Sequence, residues 1–92
     1  MWAIKRFDNT IERKQVLKPI LTEREMNVLI LLSYGLTNKE ISERLHISVH
    51  TTKAHLESIY DKLEVTNRLQ AVVRAVFIGI IDVNEILVKR PA

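Results

Sequence analysis

Cysteine is absent from this 92-residue chain, and glycine, proline and aromatics are scarce: two Gly, two Pro, one Trp, two Tyr and two Phe. Without cysteine there is no disulfide and no thiolate metal site, which suits a reducing cytosol. The two glycines each read as a helix stop, so no glycine-rich phosphate loop is available. With so few aromatics, the core has to be built from Leu, Ile and Val. No apolar run approaches the ~20 residues of a membrane span. The opening MWAIKRFDN also lacks the apolar stretch of a signal peptide. A soluble, cytoplasmic protein without membrane contact is expected. His46, His50 and His55 do not make a metal set, because His46 falls in a turn and the other two lie on different helix faces. No nucleophile–base pair and no carboxylate cluster is evident, so neither an enzyme nor a cofactor is expected.

The formal charge is +3, but it is unevenly spread. Residues 1–20 and 68–92 carry the excess, with net +3 and +2. Between residues 37 and 64, Lys39, Arg44, Lys53 and Lys62 are outnumbered by Glu40, Glu43, Glu57, Asp61 and Glu64. Bulk charge is therefore a weak argument for any partner, and what matters is where single groups point.

Helix starts and stops are plentiful. Thr22 and Glu25 have the spacing of a capping box, Leu21 and Met26 that of a hydrophobic staple, and Gly35 suits a left-handed terminator. A helix over residues 21–35 follows, with Met26, Leu29, Ile30, Leu32 and Ser33 as its inward face. Thr37 and Glu40 repeat the box, Leu36 and Ile41 repeat the staple, and Leu45 ends the apolar stripe. His46 and Ile47 then make a short turn before Ser48, the N-cap of the next helix.

That helix, about Ser48–Leu63, is the informative one. At 100° per residue, Thr52, Leu56, Ile59, Tyr60 and Leu63 share one arc, with Val49 at its edge. His50, Thr51, Ala54, Glu57, Ser58 and Asp61 share the other, with Lys53 and His55 on its flanks. An amphipathic core helix with a solvated back has this pattern, and so does a recognition helix whose first turns reach base edges. Periodicity alone does not choose between them.

In residues 1–20, Ile4, Phe7 and Ile11 have helical spacing, and Pro19 stops whatever precedes it. After Leu63, Thr66 or Asn67 opens a helix about Arg68–Ile78 that is apolar around most of its circumference. So small a domain can bury one stripe of it, and the surplus implies a second copy across a two-fold axis or cover by another part of the chain. Residues 82–87 allow a last helical turn.

Four stretches together resemble the LuxR/GerE-type helix-turn-helix domain of bacterial transcription regulators. They are Leu21-Thr22-x-Arg24-Glu25-x-x-Val28-Leu29, Gly35-x-Thr37-Asn38-Lys39-Glu40-Ile41, Ile47-Ser48-x-x-Thr51-x-Lys53-x-His55 and Lys62-Leu63-x-Val65-x-x-Arg68-x-x-Ala71. The resemblance covers about residues 21–80 in unbroken order. It implies an all-α four-helix bundle over 21–80, flanked by an N-terminal extension or linker (1–20) and a C-terminal tail (81–92). It also implies double-stranded DNA as partner, a location at the nucleoid when bound, and a homodimer through Leu69, Val72, Val73 and Val76. RNA polymerase or a sensor domain are further partners of such proteins, which often follow a receiver or ligand-sensing domain but also stand alone.

Carried over by position, the base-reading residues are His50, Lys53, Ala54 and Glu57. Asn38, Lys39, Thr51, His55 and Ser58 fall where the backbone is touched or the reading helix supported. Arg68 matches an Arg usual in the family, expected to brace the fold through an acidic partner such as Glu25 at least as often as to meet DNA. Three positions depart from the pattern. Thr52 replaces a usual Val, so its hydroxyl has to bond back to the Ser48 carbonyl. Glu64 replaces a usual Gly, and Glu57 stands where a basic or neutral side chain is more common. A helical protein-interaction module that binds a regulator or polymerase subunit is the alternative, kept open by the near-neutral motif and Glu57.

Overall fold

A computed structural model describes residues 19–88, which form five helices and no strand. They are α1 (Glu23–Ser33), α2 (Asn38–Leu45), α3 (Val49–Leu63), α4 (Arg68–Phe77) and the short α5 (Val83–Val88). The helix expected near Ile4, Phe7 and Ile11 lies outside the described residues. The all-α class and the first four helices agree with the sequence reading. The fifth lies within the expected tail, started by the Asp82 carboxylate, which accepts the Asn84 N–H at 2.9 Å.

Side chains start the first four helices. Both capping boxes form: Thr22 and Glu25 exchange bonds of 2.9 and 3.1 Å, and Thr37 and Glu40 bonds of 2.8 and 3.1 Å. Ser48 accepts from the Thr51 N–H and Asn67 from the Gln70 N–H, both at 2.9 Å.

The same four helices stop in one way. Gly35, His46, Glu64 and Gly79 have φ of 89°, 58°, 59° and 84°. At each, the following N–H returns to the carbonyl five residues back: Leu36 to Leu31, Ile47 to Ser42, Val65 to Tyr60 and Ile80 to Ala75. This is the Schellman closure, and its next residue is ordinarily apolar and packs inward. Leu36, Val65 and Ile80 do so here. The closure at His46 sets the turn between α2 and α3.

The core holds Val28, Leu29 and Leu32 of α1, Ile41 of α2, Leu56, Ile59 and Leu63 of α3, Ala71 and Ala75 of α4, and Ile81. Helix α3 packs on α1, α2 and α4 and is the central element. The inward face of α1 is centred on Glu25, Val28, Leu29 and Leu32, slightly rotated from the expected one; Met26, Ile30 and Ser33 are half-buried. No helix among the described residues is long and apolar enough to cross a membrane.

Candidate nucleic-acid interface

Helix α3 has the two faces its periodicity implied. Thr52, Leu56, Ile59 and Leu63 are buried, while His50, Lys53, Ala54 and Glu57 are exposed on the opposite side. Thr51, His55 and Ser58 are half-buried. The Thr52 hydroxyl donates to the Ser48 carbonyl at 3.0 Å, so a fully buried polar side chain is satisfied within its own helix. Ser48 in turn donates to the Thr51 hydroxyl at 2.9 Å.

The outward arc changes character along its length. Its first two turns present an imidazole, an ammonium group and a methyl; from Glu57 onward it presents Glu57, Asp61 and Glu64. Lys62, the remaining cation of α3, is drawn to the scaffold, its Nζ 2.7 Å from Glu25 Oε1. A polyanion is therefore accommodated at the start of α3 rather than at its end.

Glu25 holds α3 in place. Its Oε1 accepts from Lys62 and from the Thr22 N–H, and its Oε2 accepts from Ser58 at 2.5 Å. Burial alone would raise this carboxyl, but bonds from Lys62, Ser58 and Thr22, with the Lys62 charge, outweigh that and bring it from 4.5 down to about 2. The sequence showed the capping role, and the long-range partner expected for Glu25 was Arg68 rather than Ser58 and Lys62. The tie to α3 spans 33 and 37 residues, which no local pattern encodes. Ser58, expected at the DNA backbone or in support, has its hydroxyl bonded to this carboxylate.

Arg68 does not meet Glu25. Its Nη1 donates to the Leu36 carbonyl at 3.0 Å and its Nη2 to Asn38 Oδ1 at 2.8 Å. The expectation of an acidic partner is corrected: Lys62 lies on the same packed face as Glu25, and Arg68, at the head of α4, lies against the head of α2. There Asn38 is half-buried and Lys39 exposed. A helix N-terminus with free N–H groups suits an anion.

Along α4, Leu69 (71%), Val73 (58%) and Phe77 (68%) are the exposed apolar groups. With Val65 they line a groove of about 600 Å³. Val72 and Val76, expected beside Leu69 and Val73 at a dimer contact, are half-buried against the core. Phe77 takes their place on the outward stripe, because Ala71 and Ala75 form the buried edge of α4. Among the described residues, no group of three or more His, Asp or Glu is placed to hold a metal ion.

Residues 19–75 match the family model of GerE, the bacterial regulatory proteins of the luxR family. Over 67 residues the chain is 43% identical to the response regulator protein VraR of Staphylococcus aureus strain Mu3, covering 73% of this chain and 32% of that protein. The proteins of the same name from S. aureus strain NCTC 8325 and Staphylococcus epidermidis strain ATCC 35984 match with the same identity and coverage. The match thus spans about a third of the length of these relatives.

Proposed function

The chain belongs to the luxR family of bacterial regulatory proteins and carries that family's DNA-binding helix-turn-helix, and from this we propose that it reads duplex DNA sequence-specifically, as a homodimer, to regulate transcription. Residues 21–80 are the unit that does so. Helix α3 enters the major groove by its N-terminal half, with His50, Lys53, Ala54 and Glu57 toward base edges. Asn38, Lys39, Thr51 and His55 meet the backbone, and Ser58 supports α3 from its flank through Glu25. Two copies meet through Leu69, Val73 and Phe77 of α4, with Val72 and Val76 beneath them, and place their reading helices on half-sites about 10 bp apart.

The carrying observation is that His50, Lys53, Ala54 and Glu57 are exposed together on the one face of α3 that the core leaves free. The acids further along also favour an approach by the N-terminal end of α3, since phosphates would meet Asp61 and Glu64 otherwise.

Lys53→Ala tests the reading. If Lys53 bonds a guanine, binding to a selected site weakens by about 1–3 kcal/mol while random duplex is bound nearly as before. Equal losses on both, with a shallower salt dependence, mean that Lys53 meets phosphate only. Undiminished specific binding refutes the assigned face. Absence of binding to any duplex at low salt points to the protein-interaction module.

A further inference from the structure

Arg68 and Asn38 stand 30 residues apart in sequence and lead α4 and α2, respectively. A guanidinium carries donors only, so Asn38 has to present Oδ1 to it. The amide nitrogen Nδ2, with both its hydrogens, is thereby turned away from Arg68, and no acceptor meets it among the described residues. The guanidinium is itself held, since its other arm is bonded to the Leu36 carbonyl at 3.0 Å. A planar fork satisfies both acceptors at once, which a single ammonium group does not.

We infer that Arg68 is a positioning residue for the DNA backbone: it fixes the Asn38 amide with Nδ2 outward, aimed at a phosphate oxygen before DNA arrives. This rests on the proposed contact between Asn38 and the backbone. An unrestrained amide turns about its terminal torsion and offers oxygen as readily as nitrogen, and an oxygen repels phosphate. Fixing the amide removes the unproductive half of its orientations and ties the head of α2 to the helix proposed to face the second copy.

The test uses the whole chain and a random-sequence duplex, followed by fluorescence anisotropy across a KCl series, with urea unfolding of each variant to select conditions where all are folded. Asn38→Ala should weaken binding about 5- to 10-fold, and Arg68→Ala about 3- to 10-fold. In the Asn38→Ala background, Arg68→Ala should then change affinity by less than about two-fold, because its route to DNA is gone. Asn38→Asp keeps both Arg68 bonds and loses the donors, so the urea midpoint should hold or rise while binding falls below that of Asn38→Ala. Arg68→Lys should restore little of the Arg68→Ala loss. An Arg68→Ala effect of equal size in both backgrounds overturns the inference, because Arg68 would then act by its own charge or through the fold at large. Arg68→Ala without effect beside a weakened Asn38→Ala overturns it too, while leaving the Asn38 contact standing. Asn38→Ala that binds like the parent overturns that contact, and the inference with it.

Discussion

Glu25→Gln removes one charge from the buried carboxylate and leaves its shape almost unchanged. In the parent protein that carboxylate accepts from Lys62, Ser58 and the Thr22 N–H. The amide keeps one acceptor oxygen, and its NH₂ meets donors where an acceptor was needed. The fall of the carboxyl from 4.5 to about 2 corresponds to roughly 3 kcal/mol in favour of the charged folded form. The Lys62 side chain is 35% exposed, so water screens part of that, and about 1–2 kcal/mol remains. Exchanging charge-assisted bonds for neutral ones gives a loss of the same order. For a domain of this size the melting temperature should drop by roughly 5–15 °C at pH 7. The pH dependence is the sharper readout. The folded-state pKa lies below the unfolded one, so the unfolded chain binds more protons between them and stability rises with pH there. The contribution is complete above about pH 5 and is lost as pH falls from 4.5 toward 2. Urea unfolding followed by circular dichroism at pH 7 and pH 3 should show the gap between parent and variant shrinking at the lower pH. A gap under about 0.5 kcal/mol at pH 7, or one of the same size at both pH values, refutes the account of Glu25.

Thr52→Val should leave stability unchanged or raise it by up to about 1 kcal/mol, since the Ser48 carbonyl keeps its bond from the Thr52 N–H and a methyl replaces a buried hydroxyl; a loss above 1 kcal/mol in urea would show that the hydroxyl is required. Glu64→Gly should stabilise by about 0.5–1 kcal/mol, because φ of 59° strains a side-chain-bearing residue and an acid opposes the dipole at the end of α3. A lower melting temperature would mean that Glu64 makes a contribution larger than that strain. Val73→Glu places a charge amid Leu69 and Phe77, so on the proposed dimer sedimentation equilibrium should find weaker self-association than for the parent, with the monomer fold intact because Val73 is already 58% exposed. An unchanged association constant would put the dimer contact elsewhere.

Local chemistry was the legible part. Capping boxes and glycine stops act within a turn, so Thr22, Thr37, Gly35 and Gly79 could be read directly from their spacing. The stops at His46 and Glu64 use the same backbone closure without glycine. His46 therefore read as ordinary turn, and Glu64 stood out only against the family pattern. For α4, the amount of apolar surface was readable but not its orientation. Two alanines, Ala71 and Ala75, are the residues of α4 that turn fully inward, so Leu69, Val73 and Phe77 remain outside. Least legible were the polar ties between distant residues. Arg68 is an acid-seeking side chain by composition, and only the packed arrangement shows that a carbonyl and an amide oxygen are what it reaches.

Those ties supply what apolar packing does not. Burial of Leu56, Ile59 and Leu63 is proportional to area and almost indifferent to a small roll of the helix about its own axis. A base-reading side chain is not indifferent. At a side-chain radius of about 5–6 Å, a roll of 10° carries its tip by about 1 Å, a large part of the span over which a hydrogen bond keeps its strength. Hydrogen bonds are directional, and the two that Ser58 and Lys62 give to Glu25 leave from successive turns on one flank of α3. They oppose roll in a way that the greasy stripe cannot. At the other end, the left-handed residue His46 and the Ser48 cap fix where the first turn begins. On the proposed reading, Glu25 bears on which sequences are distinguished as well as on whether the chain stays folded, although it braces a flank of α3 and is not itself turned toward the bases.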